Sequence, residues 1–191
     1  MPIAHPLDTS GKHPFDDISK QFRLAKDMVI GFGDLKECPE ITSEIRAVYM
    51  GLVAELDTHL GRIFQWLKES KQYDETLIII TSDHGEMLGD YGCWGKMHYF
   101  DGAFHVPLMI KPPKSFNGDF GTTIEAPSES INVTPTILDL MGIEIPDEMD
   151  GSSLKPFLLG KKPEDWKKAT MSEVDYGDPV KPTIWQSQLS L

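Results

Sequence analysis

The sequence predicts an α/β layered domain built on a mainly parallel sheet. Two short, near-continuously apolar runs, Thr76-Leu77-Ile78-Ile79-Ile80-Thr81 and Val106-Pro107-Leu108-Met109-Ile110-Lys111, read as buried strands. A long amphipathic segment precedes them and a shorter one follows. Helix, strand, strand, helix is the order of a layered α/β fold.

Residues 1–15 are polar and rich in Pro and Gly and read as a loop. Asp16 to Lys26 reads as a short helix with Asp16 or Asp17 as its N-cap. The clearest element runs from Ile41 to Ser70, with Thr42 and Ser43 as candidate caps. Its apolar residues include Ile45, Val48, Tyr49, Leu52, Val53, Leu56, Leu60, Ile63, Phe64 and Leu67. That spacing keeps a helical period over about seven turns. Asp57 falls beside this stripe, so its carboxylate is expected to be at least half buried and to need a partner.

The internal Pro107 places the second strand at an edge or marks its start. Thr134 to Met141 reads as a helix with Pro135 at its first position and Gly142 as its stop. Ser153 to Leu159 is a further short helix ending at Gly160, and Ala169 to Val174 a last strand. The opening lacks the apolar strand that starts such a sheet, and residues 177–191 end without a cap. A truncated tail and an incomplete domain are therefore expected.

Bulk properties exclude some functions. The 191 residues suffice for one domain, and a formal net charge of −12 repels phosphate backbones and anionic lipid. Nucleic acid and membrane surfaces are accordingly not expected partners. Cys38 and Cys93 are too few for a disulfide framework or a zinc site and read as free thiols of a reducing compartment. The first residues show no signal peptide and no run approaches a membrane span, so a cytoplasmic location is expected.

The chemistry gathers after the first strand. Ligands of open α/β sheets bind beyond the carboxyl ends of strands, and Asp83 and His84 stand there. A carboxylate oxygen and an imidazole nitrogen can both hold a divalent metal. Neighbours on a regular strand point to opposite faces, so the chain must turn for both to reach one ion, and Gly85 permits a turn. Gly85, Gly89 and Gly92 imply a tightly folded loop that ends at Lys96. Lys96 offers three donors and a positive charge, suited to a nonbridging ester oxygen or a leaving group. His98 is a candidate to line the same pocket. His105 reads as structural, and His5, His13 and His59 have no supporting context. Met87, Met97 and Met109 read as packing residues.

The run Thr81-Ser82-Asp83-His84-Gly85-Glu86, the Leu88-Gly89-Asp90 spacing, Trp94-Gly95-Lys96 and Val106-Pro107-Leu108-Met109-Ile110 together resemble the sulfatase family of the alkaline phosphatase superfamily. Tyr49 to Leu67, with Asp57 and Gly61-Arg62, looks like the long helix before the family's metal strand. Ser130 to Gly151 and the turn Asp150-Gly151-Ser152-Ser153-Leu154 look like its helix and turn beyond. The resemblance covers about residues 40–176, after a loop-rich lead-in over 1–40. Within the family the likeness is greatest to phosphonate monoester hydrolases, which include promiscuous arylsulfatases. The shared features are His rather than Asn after the metal Asp, Ser128-Glu129-Ser130-Ile131, and Glu173-Val174-Asp175-Tyr176.

The resemblance implies a three-layer α/β/α, alkaline phosphatase-like fold, here incomplete. It implies hydrolysis of sulfate or of phosphonate or phosphate mono- or diesters, with a small anionic ester as substrate. It also implies one divalent metal ion held in part by Asp83 and His84, and a contact from Lys96 to the sulfuryl or phosphoryl group. The ion is Mn²⁺ or Ca²⁺, and the His ligand favours Mn²⁺ over an ion of all-oxygen sites. The family's nucleophile is a formylglycine made within Cys/Ser-x-Pro-x-Arg. That motif is absent: Cys38 is followed by Pro39-Glu40-Ile41 and Cys93 by Trp94-Gly95-Lys96. The family's opening metal aspartates have no counterpart either, since Asp16-Asp17 reads as a helix start. The implied partner is the missing N-terminal part of the domain, and exposed sheet edges make self-association a further expectation. A catalytically silent module of the same fold and a phosphatase or phosphate-group transferase branch are the alternatives. The Lys96 loop favours sulfatase-type chemistry over that branch.

Overall fold

The computed structural model describes residues 25, 29–31, 36, 38–96, 100–118, 120–175 and 185–190. The expected helix from Asp16, and His5, His13, Met97 and His98, lie outside the described residues. Two compact units divide the chain. One reaches to Asp74 and resumes over Ile79–Ile110, and the other takes Glu75–Ile78 and the residues from Lys111 onward.

The first unit is organised by helix α1, Pro39–Glu69. It starts two residues before the expected point, because Pro39 already has the backbone angle of a first helical residue. Cys38 precedes it in an extended conformation, and its carbonyl accepts the Thr42 N–H at 3.0 Å. Thr42 therefore lies inside the first turn rather than capping it. Ile41 and Ile45 pack with Val29 on a small core of Ala25 and Trp94. At the other end the Ser70 N–H reaches the Trp66 carbonyl at 2.9 Å, and Tyr73 meets Phe64 edge to face. Between these anchors the helix stands open to solvent. Asp57 is exposed, contrary to the expectation of a half-buried carboxylate. The stripe beside it is not covered by the described residues.

Strands β1 (Ile78–Thr81) and β2 (Leu108–Lys111) are hydrogen-bonded neighbours. Both are shorter than their apolar runs, and β2 opens directly after Pro107, as a residue without an N–H requires. They are partly rather than fully buried, and Met109, expected to pack, is exposed. The short helix α2, Asp101–Phe104, lies between them in sequence.

The second unit is held by buried polar groups. Helix α3, Val133–Leu140, continues a 3₁₀ turn over Ser130–Asn132, so Pro135 sits at its third position and not its first. Asn132 is buried: its amide donates to the Ser152 carbonyl at 2.9 Å, and its Oδ1 accepts the Glu129 N–H at 2.8 Å. The Thr136 hydroxyl donates to the Asn132 carbonyl at 2.6 Å and accepts the Leu154 N–H at 2.8 Å. A methyl group at Gly151 would lie 2.0 Å from the Ile131 carbonyl oxygen, so only glycine fits this crossing. Helix α4 is Lys155–Leu158, and Gly142 and Gly160, in left-handed conformations, end α3 and α4. Strand β3 (Thr170–Asp175) pairs antiparallel with β4 (Trp185–Ser190), in register Thr170 with Ser190. The segment expected to be a truncated tail supplies strand β4.

Candidate active site

The chain leaves β1 at Thr81 and folds back on itself within three residues. The Ser82 hydroxyl donates to the His84 carbonyl at 2.6 Å, and the His84 N–H donates to Asp83 Oδ1 at 2.9 Å. These local bonds replace strand pairing and let adjacent side chains share one side. His84 Nδ1 lies 2.8 Å from the Gly85 carbonyl oxygen. A carbonyl only accepts, so Nδ1 is the donor in this contact, and Nε2 is the ring nitrogen left to face outward. Nε2 stands 3.6 Å from Asp83 Oδ2.

That separation bears directly on a metal. Two adjacent donors each about 2.1 Å from one octahedral ion are about 3 Å apart. The pair is therefore near enough for both side chains to reach a single divalent ion after a small adjustment. Asp83 is 85% exposed at its side chain, so its charge is turned outward. Among the described residues no group of three or more His, Cys, Asp or Glu comes together as a metal site.

Gly85 is required for a reason other than the one its sequence position implies. Its backbone angle is not left-handed. Its N–H donates to the Ala103 carbonyl at 2.7 Å, and an added methyl would lie 2.1 Å from the Gly102 carbonyl oxygen. The glycine lets the ligand segment press against the start of α2.

The loop from Glu86 to Lys96 closes at its base. Glu86 Oε1 accepts the Gly95 N–H at 2.6 Å and the Leu88 N–H at 3.3 Å, while the Met87 N–H donates to the Gly95 carbonyl at 3.0 Å. Inside the loop Leu88 (φ 51°) and Tyr91 (φ 56°) are left-handed, costing about 1–3 kcal/mol each. Two features hold them there. Tyr91 stacks on Phe100 at 4.4 Å over the buried Met87, Cys93 and Ala103. Arg46 of α1, only 8% exposed, donates from Nε to the Leu88 carbonyl at 2.7 Å and from Nη2 to Asp90 Oδ1 at 2.5 Å.

Of the expected site residues, the fold brings Asp83 and His84 together. It leaves Lys96 exposed, one residue past the pinned Gly95. No direct bond joins Lys96 to the pair among the described residues. His105 is exposed, and its N–H closes α2 on the Asp101 carbonyl at 2.9 Å. Glu86, Arg46 and Asp90 are the supporting residues that sequence reasoning missed. A buried arginine beside an apolar stripe and a glutamate at the loop's start were the available signals.

A family-wide sequence profile described as Sulfatase matches residues 7–143. The chain belongs to the sulfatase family. Its relatives include the multifunctional alkaline phosphatase superfamily protein PehA of Trinickia caryophylli, 48% identical over 135 residues, which cover 71% of this chain and 26% of PehA. The choline-sulfatase of Rhizobium meliloti is 35% identical over 82% of this chain and 29% of its own length. Among solved structures, the phosphonate monoester hydrolase of Silicibacter pomeroyi superposes with a TM-score of 0.91 at 42% identity. That match covers 100% of this chain and 40% of the hydrolase. The fold is the alkaline phosphatase-like α/β fold of this sulfatase branch, present in part. The chain spans well under half the length of these relatives.

Proposed function

We propose that this chain carries one part of the active site of a metal-dependent hydrolase acting on small sulfate, phosphonate or phosphate esters. The observation that supports this most is the Asp83–His84 pair at the end of β1, with His84 Nδ1 engaged by the Gly85 carbonyl and Nε2 3.6 Å from Asp83 Oδ2. Asp83 and His84 would hold a divalent ion. His84 favours Mn²⁺ over Ca²⁺, because imidazole nitrogen suits the former better. When bound, such an ion neutralises charge on the ester and orients the reacting groups.

The chain's own residues then have separate tasks. Asp83 contributes the anionic oxygen donor and His84 the nitrogen donor. Lys96 holds a nonbridging oxygen of the sulfuryl or phosphoryl group and offsets charge that grows there. His98 lines the same pocket in this reading. No Cys/Ser-x-Pro-x-Arg occurs in the 191 residues, so the formylglycine nucleophile is not among them. The missing motif favours a second reading, a catalytically silent module that keeps the scaffold. Cys38 and Cys93, neither of them in a disulfide, support a reducing, cytoplasmic setting.

Calorimetric titration with Mn²⁺, beside assays of aryl sulfate and phenyl phosphonate hydrolysis, tests both readings. The chain is expected to bind Mn²⁺ weakly and to lose that binding in Asp83→Ala and His84→Ala. Turnover by the chain alone is expected to be absent. Equal Mn²⁺ binding in the two variants rejects the metal pair. Turnover that Asp83→Ala abolishes rejects the absence of a nucleophile.

A further inference from the structure

The loop that leaves the Asp83–His84 pair returns to its own start at Lys96. Lys96 is exposed, but Cys93, Trp94 and Gly95 just before it are buried. Trp94 packs with Ala25 against Ile41 and Ile45 of α1. Both peptide groups of Gly95 are bonded to one short stretch. Its N–H donates to Glu86 Oε1 at 2.6 Å, and its carbonyl accepts the Met87 N–H at 3.0 Å. In a regular antiparallel pair, Met87 and Gly95 would exchange both main-chain bonds. Here the Met87 carbonyl accepts the Asp90 N–H at 2.9 Å instead, and the Glu86 side chain takes the Gly95 N–H. A carboxylate thus stands in for a missing rung. Gly95 is left-handed (φ 77°), a conformation glycine adopts at little cost. Lys96 therefore leaves the loop from a fixed point beside Glu86.

Glu86 itself stands two residues after His84 and three after Asp83. Its neighbour Gly85 is fixed by the bond from its N–H to the Ala103 carbonyl at 2.7 Å. One carboxylate accordingly joins the segment that carries the pair to the segment that carries the lysine. It does so through the backbone of Gly95, so this bond does not consume the Lys96 ammonium. We infer that Glu86 is a positioning residue. By holding the Gly95 peptide it sets where Lys96 stands relative to Asp83 and His84, and so where an anionic oxygen of the ester is held. The inference rests on the proposed function of those three residues and adds the group that fixes their spacing.

The test is binding of inorganic sulfate to the 191-residue chain at saturating Mn²⁺, by calorimetry, with Mn²⁺ affinity measured separately for each variant. Removing a negative charge near an anion site by itself strengthens anion binding. The inference expects the reverse for Glu86→Ala: sulfate affinity falls about tenfold, as on loss of one charged hydrogen bond, while Mn²⁺ affinity holds. Glu86→Gln keeps an acceptor oxygen and should bind sulfate as the parent chain does, or more tightly. Glu86→Asp keeps the charge but draws the acceptor back by one carbon, and should lose about threefold or more. It carries the test should circular dichroism show Glu86→Ala unfolded. Lys96→Ala should lose as much as Glu86→Ala, and the double variant no more than Lys96→Ala, because Glu86 acts through the lysine. Additive losses, sulfate affinity unchanged or raised in Glu86→Ala and Glu86→Asp, or Glu86→Gln as weak as Glu86→Ala each overturn the inference and leave the metal pair standing. A parent chain that binds Mn²⁺ but no sulfate does the same. Mn²⁺ binding equal in the parent and His84→Ala removes the pair, and the inference with it.

Discussion

Arg46 on α1 reaches across 44 residues of sequence to Asp90, Nη2 to Oδ1 at 2.5 Å, and in the same reach donates to the Leu88 carbonyl at 2.7 Å. One guanidinium thereby ties the loop that follows the Asp83–His84 pair to the longest helix. Arg46→Met leaves Asp90 and a carbonyl without their charged donor. It is expected to destabilise the fold by about 1–3 kcal/mol. Arg46→Lys is expected to recover only part of this, since an ammonium lacks the planar fork. Urea midpoints at unchanged slope measure the difference, and equal midpoints for Arg46→Met and the parent chain would show that the helix does not hold the loop.

Two glycines should respond in opposite directions. Gly85→Ala drives a methyl to 2.1 Å from the Gly102 carbonyl oxygen, where backbone must move. A loss of more than about 3 kcal/mol is expected. Gly51 lies inside α1 with nothing within 4 Å of an added methyl. There Gly51→Ala should gain about 0.5–1 kcal/mol from helix propensity. Thermal unfolding of the two variants side by side checks the contrast.

Glu86 is expected to act as the latch of the loop. Its Oε1 accepts from both Gly95 and Leu88, so Glu86→Ala strands two amides and should cost about 1–3 kcal/mol. Glu86→Gln keeps an acceptor oxygen and should cost less. The specific readout is hydrogen exchange at the Gly95 amide. It should accelerate in Glu86→Ala beyond any change at amides of α3, and uniform acceleration would count against a local latch.

Acid should loosen the second unit first at two carboxylates. Burial pushes the Glu129 carboxyl up, but the Lys167 ammonium and the Met171 N–H outweigh it and leave the pKa below its ordinary 4.5. Burial likewise raises Asp139, and Lys155 at 2.7 Å with Ser153 brings it below its ordinary 3.8. Both groups bind protons less readily folded than unfolded. Their contribution is complete above the ordinary values and is lost as pH falls below them through the folded ones. Stability is expected to be flat toward neutral pH and to decline below about pH 4.5. Lys167→Met and Lys155→Met should each make that decline shallower, as read by circular dichroism in an acid titration.

Much of the fold was legible because it is local. The period of α1, the apolar run of β1 and the stops at Gly142 and Gly160 are patterns within one element, and the chain adopts them where they were expected. Asp83 and His84 were legible through their place after a strand and the company of their motif. Asp57 was misjudged because periodicity shows which face is apolar, and not whether anything covers it. Glu129 stood out as part of a family-like stretch, yet its work is structural. It accepts the Met171 N–H at 3.0 Å and pairs with Lys167 across 38 residues.

By itself the sequence determined the main helix and strand types and the family, and it singled out Asp83 and His84 as candidate ligands. Each of these depends on residue chemistry at short spacing. Only the tertiary structure decided that Gly85 is needed for a close backbone crossing, that Arg46 and Glu86 hold the strained loop, and that β4 pairs with β3. The physical reason is shared. A hydrogen bond or a steric limit acts over a few ångströms, and residues distant in sequence come within that range only after the elements have packed.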